Sequence, residues 1–248
     1  MPETTWQPVS EIPSLLANEV HIWRIWLNRP DEEVAAGQSL LSPDELARAA
    51  RFYFDRDRRR YILARGHLRR LLAHYLNAKP MAIRFQYAAQ GKPQLAGDAD
   101  IQFNVSHAQD VALIGLCRGT ALGVDVEWVR PLSDMDAVAH RSFSQMEYDE
   151  YRGMPEKMKP AVFFNCWTRK EAFIKAVGEG LSYPLRDFAV TLLPDEPVQF
   201  RHIRESKAAA TEWTLQSFCP AIGYAGALAL KGTKWFMSLF AEPQQFLH

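Results

Sequence analysis

The sequence predicts an α+β protein in which helices precede antiparallel strands twice along the chain. Two Ser-x-x-Glu segments, at residues 42–45 and 144–147, are typical of helix starts, and longer helical patterns follow both of them. Short runs of alternating or β-branched residues, separated by turn residues, come after each helical region. We therefore expect two halves of similar plan, an N-terminal lobe over residues 1–119 and a C-terminal lobe over residues 120–248.

The N-terminal lobe begins with an aromatic and β-branched run at residues 20–27, which predicts a strand. The capping box at residues 42–45 has proline at the first helical position and predicts a helix that ends near residue 54. A second helix is predicted over residues 57–76, because its apolar side chains recur on one face. Further strands are predicted at residues 83–87, 101–105 and 111–117.

The C-terminal lobe begins with an apolar run at residues 122–127, and the turn before it predicts a hairpin with the strand at 111–117. The second capping box predicts a short helix to about residue 151. A longer helix is predicted over residues 160–176, with two glycines beyond its end. Further strands are predicted at residues 186–193, 197–204, 211–219 and 223–230. The two lobes show no residue-level repeat, so we expect any internal symmetry to be structural only.

Composition narrows the class of protein. The 248 residues are 48% hydrophobic and 23% charged, as in ordinary soluble globular proteins. Lys+Arg and Asp+Glu both number 29, and this balance disfavours partners such as nucleic acid or a membrane surface. The three cysteines are far apart, the first residues lack a signal-peptide pattern, and no apolar run is long enough to span a bilayer. We expect a cytoplasmic protein without a disulfide framework.

Asp125 and Glu127 are the most informative residues of the chain. One valine separates them inside an apolar run, so in a strand both carboxylates point to one face and Val126 points to the other. Like charges this close repel each other unless something compensates them, and a divalent cation does so. Oxygen ligands without clustered thiols favour Mg²⁺ or Mn²⁺ over zinc. An exposed strand face, or pairing with arginines, is the alternative explanation without a metal.

The segment at residues 167–175 carries a second group of candidates. On a helix, Trp167, Glu171 and Lys175 lie on one face at steps of four residues. Glu171 is then a third carboxylate for a metal, and Lys175 is placed to bind a phosphate that the metal neutralises. The alternative is a surface Glu-Lys pair worth about 0.3–0.5 kcal/mol.

Two short segments suit phosphate recognition, although each also has a plain structural explanation. Ser106 and His107 end a predicted strand at a loop, where a turn with a satisfied histidine is the alternative. Lys92 lies on a turn before Pro93, and a connecting turn is the alternative there.

Arginines are concentrated between residues 44 and 70. Most of them are expected on solvated helix faces, but the guanidinium fork also matches phosphate geometry. Arg60 and Arg65 cannot share one helix face, so we expect them to reach different groups.

Four segments that occur in this order closely resemble the 4′-phosphopantetheinyl transferases. Their length and spacing are similar to the large, single-chain Sfp type rather than to the short, trimeric holo-ACP synthase type. The resemblance covers roughly residues 40–190, and the four segments together are highly specific. They are Gly91-Lys92-Pro93, Phe103-Asn104-Val105-Ser106-His107, Gly123-Val124-Asp125-Val126-Glu127 and Trp167-Thr168-Arg169-Lys170-Glu171-Ala172-Phe173-Ile174-Lys175.

The resemblance implies a fold of two similar α+β halves, related by a pseudo-twofold axis, with the active site between them. It also implies the reaction, in which the 4′-phosphopantetheine arm of coenzyme A moves to a serine hydroxyl of an apo acyl or peptidyl carrier protein. The other product is adenosine 3′,5′-bisphosphate. Fatty-acid, polyketide and nonribosomal-peptide carriers share the serine loop, so all three are candidate acceptors. We expect a monomer that works with Mg²⁺ or Mn²⁺.

The resemblance also implies roles for the matching residues. Asp125, Glu127 and Glu171 would hold the metal, and Lys175 would contact the phosphates directly. Asp125, Glu171 and Lys175 are thereby the implied catalytic residues. The attacking serine belongs to the carrier, and its proton would go to Glu171 or to a metal-bound water. The residues implied to grip coenzyme A are Lys92 with Pro93, Ser106, His107, Arg60, Lys175 and Arg48.

One departure concerns the early helix, where some relatives carry a lysine pair that meets the 3′-phosphate. The matching positions here are Glu45 and Arg48, and a glutamate does not replace a cation. Arg48 can replace one of the two cations, and we expect either that Arg51 or Arg65 supplies the rest of that contact or that it is absent. The resemblance further implies that the carrier docks on residues 176–184, after the long helix.

Two other functions stay open from the residues alone. The same carboxylates suit a metal-dependent hydrolase of nucleotide pyrophosphates, with water as the nucleophile. The second is a non-catalytic module that binds carrier proteins or nucleic acid, although zero net charge disfavours nucleic acid.

Overall fold

Two β-sheets and two long helices form the body of the chain. The computed structural model describes residues 4–88, 90–193, 195–204, 206–243 and 246, and at Leu181 it describes the backbone only. The helices are α1 (Asp31–Gln38), α2 (Pro43–Ala49), α3 (Asp55–Tyr75), α4 (Met135–Ser142), α5 (Gln145–Arg152), α6 (Lys159–Val177) and α7 (Lys207–Ala210). The strands are β1 (Glu19–Trp26), β2 (Phe85–Tyr87), β3 (Pro93–Leu95), β4 (Ile101–Ala108), β5 (Val111–Arg118), β6 (Leu122–Trp128), β7 (Phe188–Val190), β8 (Phe200–Ile203), β9 (Trp213–Phe218), β10 (Tyr224–Lys231) and β11 (Phe236–Ala241). Of the helices described, none has both the length and the apolar character needed to cross a bilayer.

The first sheet has the strand order β11-β1-β5-β4, and α3 packs on it. Strands β1, β5 and β4 are antiparallel neighbours, whereas β11 runs parallel to β1 with Phe236 opposite Glu19. Leu68 and Leu71 of α3 share a buried core with Trp23 of β1. The last strand in the sequence therefore completes the sheet of the first half.

The second sheet has the strand order β6-β10-β9, and α6 packs on it. Both strand pairs are antiparallel. Ala225, Ala227 and Ala229 of β10 belong to the same buried core as Phe173 of α6. The small side chains of the strand allow the helix to approach, and the aromatic ring fills the space that remains.

A third buried cluster lies between the two sheets. Val124 and Val126 of β6 contribute to it from the strand face opposite Asp125, and Val20 and Leu113 contribute from the first sheet. Strand β5 has both edges paired, with β1 and β4, so β6 packs across it instead of beside it. The predicted hairpin between these two strands is therefore wrong, and β6 pairs with β10.

A buried ion pair occurs at the corresponding place in each half. Glu45, from the first capping box, accepts hydrogen bonds from the Nε atoms of Arg65 and Arg69 on α3. Glu147, from the second capping box, accepts one from Lys170 Nζ on α6 at 2.6 Å. Arg69 lies 24 residues after its glutamate, and Lys170 lies 23 residues after its own. The two pairs differ in residue type and by one residue in spacing, so the correspondence between the halves is structural, as expected.

Both halves thus contain a capping-box helix, a long helix bound to it by a buried ion pair, and a sheet on which the long helix packs. The predicted α+β class with two similar halves is confirmed. The predicted boundary falls in the turn at Gly119, which has a φ of 71°. As a division into lobes it stays a prediction, with the difference that β11 lies in the first sheet.

Helices α1, α4 and α7 and strands β3 and β11 were not predicted, and α2 ends at Ala49 rather than near residue 54. The strand predicted over 186–193 is reduced to β7, because a 3-10 turn occupies Leu185–Asp187. Helix α1 has few apolar residues and is held by close packing on α3. A Cβ atom at Gly66 of α3 would lie 2.9 Å from Gly37 Cα. A contact between residues this far apart leaves no periodic signal in the sequence.

Candidate functional site

Asp125 and Glu127 lie beside helix α6, on the same face of β6 as Gly123. The backbone of α6 packs directly against that glycine. A Cβ atom at Gly123 would lie 2.0 Å from the carbonyl oxygen of Ala172 and 2.4 Å from the backbone nitrogen of Ala176. The glycine therefore sets a short distance between strand and helix, which brings side chains of α6 next to Asp125.

A cleft of about 490 Å³ opens at the junction of β4, β6 and α6. Trp167, Glu171 and Lys175 line it together, which confirms that these three side chains share one face of the helix. Trp167 stacks on Phe163 with ring centroids 5.9 Å apart. The other lining residues are Val105, Ser106, His107, Asp125, Val126 and Glu127.

Lys175 is bound to the carboxylate of β6 rather than to Glu171 one turn away. Its Nζ donates to Asp125 Oδ1 at 2.6 Å and to Ser106 Oγ at 2.9 Å. Ser106 Oγ in turn donates to the same oxygen of Asp125 at 2.9 Å. This network across three elements favours a functional interpretation of the segment over a surface Glu-Lys pair.

Ser106 reaches this network because β4 lies beside β6, although the two strands belong to different sheets. Asn104 Oδ1 accepts a hydrogen bond from Val124 N at 3.0 Å, and Ser106 Oγ accepts one from Val126 N at 3.4 Å. Side chains of β4 thus take the place of backbone hydrogen bonds at the junction. They hold a serine of the first half next to a carboxylate of the second.

The cleft carries more negative charge than its own lysine neutralises. Burial, together with the charges of Asp125 and Glu171, raises the pKa of Glu127 to about 7. Burial, together with the charge of Asp125, also raises the pKa of Glu171. Asp125 Oδ2 and Glu171 Oε1 are buried, and neither has a hydrogen-bond partner in the described structure.

These observations fit a divalent cation by charge and by chemistry. Carboxylate oxygens are the ligands that Mg²⁺ and Mn²⁺ prefer, and two of those in the cleft have no partner among the described atoms. In this conformation the ammonium of Lys175 holds Asp125 Oδ1. Within the part of the chain that is described, no three His, Cys, Asp or Glu side chains close into a complete metal site. The assignment of Asp125, Glu127 and Glu171 as metal ligands stays a prediction.

The arginines predicted to grip coenzyme A lie outside the lining of the cleft. Arg60 Nη2 donates to Asp110 Oδ1 at 2.7 Å, whereas Arg65 bonds Glu45, so the two arginines do reach different groups. Arg48 is exposed, with its guanidinium 5.7 Å from the centre of the Tyr61 ring. It lines a separate cavity of about 570 Å³ with Asp44, Arg51, Phe52 and Tyr87. Of the residues in the coenzyme A prediction, Ser106, His107 and Lys175 are brought together in the cleft.

Glu45 occupies a position that the resemblance matches to a lysine of some relatives. Here its carboxylate forms a buried ion pair with two arginines of α3. Arg65 is committed to this pair, and its Nη2 also donates to Tyr87 Oη at 3.0 Å. The expectation that Arg65 serves as the replacement cation stays a prediction that these contacts do not support. Arg51 lines the same cavity as Arg48, so its role as the replacement stays a prediction.

Lys92 points its ammonium at the backbone of the second half. Its Nζ donates to the carbonyl oxygen of Lys175 at 2.5 Å and to that of Leu122 at 3.2 Å. Pro93, which follows it, begins β3. The direct grip of Lys92 and Pro93 on coenzyme A stays a prediction that these contacts do not support.

Sequence reasoning missed two residues that shape the cleft. Gly123 carried a usable signal, because a glycine inside a strand often marks the close approach of another backbone. Asn104 carried none, since its partner, Val124 N, belongs to a strand of the other sheet.

Comparison with known proteins identifies relatives over nearly the whole chain. A family model described as the 4′-phosphopantetheinyl transferase superfamily matches residues 121–229, and one described as 4′-phosphopantetheinyl transferase, N-terminal, matches residues 25–117. The 4′-phosphopantetheinyl transferase HetI of Nostoc sp. is 37% identical over 238 residues, which cover 95% of this chain and 97% of HetI. The 4′-phosphopantetheinyl transferase Sfp of Bacillus subtilis is 31% identical over 179 residues, which cover 71% of this chain and 79% of Sfp. A solved holo-(acyl-carrier-protein) synthase of Bacillus anthracis, in complex with CoA (3′,5′-ADP), matches 46% of this chain and 96% of its own at 18% identity and a TM-score of 0.37.

Proposed function

This chain belongs to the 4′-phosphopantetheinyl transferase superfamily, and we propose that it carries out its reaction in the cleft that contains Asp125, Glu171 and Lys175. The enzyme transfers the 4′-phosphopantetheine arm of coenzyme A to a serine hydroxyl of an apo carrier protein. The products are the holo carrier and adenosine 3′,5′-bisphosphate. Relatives at 37% and 31% identity that bear this activity in their names support the function.

The contact of Lys175 with Asp125 and Ser106 is the observation that carries the site assignment. It joins a cation, a carboxylate and a hydroxyl from both halves, each within 2.9 Å of the next. A pyrophosphate entering the cleft would compete with Asp125 for the ammonium of Lys175. We expect Lys175 Nζ to turn to a phosphate oxygen when coenzyme A binds, which frees Asp125 Oδ1 to accept another partner.

The reaction forms one bond to phosphorus and breaks another. The serine oxygen of the carrier attacks the phosphorus that bears the pantetheine arm, and the bond from that phosphorus to the bisphosphate breaks. Glu171 is the candidate base for the serine proton among the residues of this chain, and burial, together with the charge of Asp125, raises its pKa and so makes its carboxylate a stronger base. Lys175 stabilises the negative charge that develops on the leaving bisphosphate. A metal ion held by Asp125, Glu127 and Glu171 would add polarisation of the pyrophosphate.

Several finer assignments accompany this proposal. The acceptors are acyl or peptidyl carrier proteins, and Mg²⁺ is the first metal to test. The enzyme is proposed to act as a monomer in the cytoplasm. Carrier docking on residues 176–184 also stays a prediction, and the side chain of Leu181 in that segment lies outside the described structure.

Intact-mass spectrometry of apo carriers tests the function. Fatty-acid, polyketide and nonribosomal-peptide carriers are each incubated with the enzyme, coenzyme A and Mg²⁺, and we expect a gain of one phosphopantetheine. A carrier whose acceptor serine is replaced by alanine serves as the control. Hydrolysis of coenzyme A without any carrier would favour the pyrophosphate hydrolase instead. Stable carrier binding without a gain in mass would favour the non-catalytic module.

Metal binding is expected to become tighter as the pH rises toward 7. The pKa of Glu127 is raised to about 7, so this carboxyl is largely protonated below that pH in the metal-free protein. A metal must displace that proton, so its affinity rises by up to about tenfold per pH unit and levels off above pH 7. Calorimetric titration with Mg²⁺ across this range measures the slope.

The metal-free protein is expected to show the opposite trend in stability. Because the pKa of Glu127 rises from 4.5 to about 7 on folding, the folded state binds more protons, and stability is lost as the pH rises through this window. Thermal unfolding in EDTA should show this loss for the wild type and a flatter profile for Glu127→Gln. Glu212→Gln, at an exposed carboxylate outside the cleft, is the matched control. Equal pH profiles of stability for Glu127→Gln and the wild type would show that Glu127 is not the source of this pH dependence.

A further inference from the structure

Lys92 joins the two elements that carry the charged residues of the cleft. Its Nζ donates to the carbonyl oxygen of Lys175 in the last turn of α6, and to that of Leu122, the first residue of β6. Lys92 itself lies just before β3, in the first half. One ammonium therefore bridges the end of the helix that bears Lys175 and the start of the strand that bears Asp125.

The carbonyl of Lys175 needs a donor from outside its own helix. The last four carbonyls of an α-helix have no partner within the helix. At the end of α6, Gly178 N takes the carbonyl of Ile174 at 2.8 Å, and Lys92 Nζ takes that of Lys175 at 2.5 Å. A positive charge at this end also complements the helix dipole. Lys92 thus caps α6 from the other half of the molecule.

This position has an electrostatic cost that the two carbonyl contacts must offset. Burial, and to a smaller extent the charge of Lys175, lowers the pKa of Lys92 to about 8. The ammonium of an exposed lysine keeps its hydration, whereas burial removes that hydration and destabilises the charged form. The two bonds direct this ammonium to the backbone rather than to the lining of the cleft.

We propose that Lys92 is a positioning residue that fixes the end of α6, and through it the ammonium of Lys175, relative to Asp125. The proposal rests on the transferase function of the cleft. A lysine that bound phosphate directly would support the reaction with or without Lys175. A positioning Lys92 supports it only when Lys175 is present.

A double-mutant cycle separates the two roles. Lys92→Met keeps the aliphatic stem and removes the N–H donors. We expect kcat to fall by about 10–100-fold, as for other partners that orient a functional group, with KM for coenzyme A changed by less than about threefold. In the background of Lys175→Met, Lys92→Met should lower kcat by less than about twofold more. If the losses in kcat from Lys92→Met and Lys175→Met multiplied in the double variant, and Lys92→Met raised KM for coenzyme A, the proposal would be overturned.

Lys92→Gln gives a second test by comparison with Lys92→Met, and thermal unfolding of both variants shows whether each is folded. Glutamine loses the charge but keeps N–H donors for carbonyl oxygens. Positioning predicts a kcat closer to wild type for Lys92→Gln than for Lys92→Met, whereas phosphate binding predicts an equal loss in both. Lys231→Met, at an exposed lysine, is the matched control. A wild type that adds no mass to any carrier would refute the transferase function itself, whereas an active wild type with multiplying effects refutes only the positioning role.

Discussion

Asp125→Asn is expected to lower the rate of carrier modification by at least about 10³-fold while the protein stays folded. One oxygen of Asp125 accepts hydrogen bonds from Lys175 and Ser106, and the other is buried without a partner among the described residues. Asparagine has nearly the same shape, so packing is kept and the negative charge is lost. A metal and Lys175 both depend on that charge. Losing several kcal/mol of charge stabilisation in the transition state corresponds to a loss of this size.

The measurement is the initial rate of mass gain on one apo carrier at saturating coenzyme A and Mg²⁺. Thermal unfolding of the same preparation separates a chemical defect from a folding defect. Glu212→Gln removes an exposed carboxylate of the second half that pairs with Lys231, and it should keep the wild-type rate. If folded Asp125→Asn turned over as fast as the wild type, the metal assignment and the catalytic role of the cleft would both be wrong.

Gly123→Ala is expected to destabilise the protein by about 3 kcal/mol or more, although it adds a single methyl group. That methyl would lie 2.0 Å from the carbonyl oxygen of Ala172, and backbone cannot rotate away as a flexible side chain can. Helix α6 must therefore shift away from β6. The shift would also carry Glu171 and Lys175 away from Asp125, so the rate should fall together with stability.

A melting experiment tests this directly, with an expected drop in Tm of about 6–12 °C for a chain of this size. Gly153→Ala is the matched control. Gly153 ends α5 with a φ of −70°, and an added Cβ would find its nearest neighbour at 3.5 Å. That variant should stay within about 0.5 kcal/mol of wild type. A wild-type Tm for Gly123→Ala would mean that strand and helix are not in backbone contact.

Local signals in the sequence were enough to predict the two capping boxes, the long helices and the class of fold. Ser144 and Glu147 form the predicted box, with Ser144 N donating to Glu147 Oε2 at 2.7 Å. Strand pairing was a different matter, because the turn at Gly119 is compatible with a hairpin and also with a strand that crosses to another sheet. The position of β11 next to β1 joins residues more than 200 apart in sequence, and no short-range pattern encodes it.

The candidate site divides in the same way. The two-residue spacing of Asp125 and Glu127, and the four-residue spacing of Glu171 and Lys175, place each pair on one face without any tertiary information. The bond between Lys175 and Asp125 depends on how closely α6 approaches β6, which Gly123 determines and spacing alone does not. The residue type alone also gives a wrong prediction where a charged side chain, normally expected to face solvent, is buried in the fold.

Glu45 and Lys92 are the two cases of that kind. Glu45 is 1% exposed and stabilises the interior through Arg65 and Arg69, although a glutamate early in a helix usually faces water. Lys92 bonds two carbonyls of the other half, although a lysine on a turn usually faces solvent.

The pairing of β11 with β1 has a consequence for any attempt to divide the enzyme. A cut in the turn between β5 and β6 would leave Lys92 and Ser106 on one fragment and Asp125, Glu171 and Lys175 on the other. The second fragment would take β11 away from its partner strand, and the first would be left with an open edge at β1. The first fragment would expose the edge of β1, and the second would carry the unpaired strand β11. We therefore expect an intact cleft to form only when the two fragments associate, and not when either folds alone.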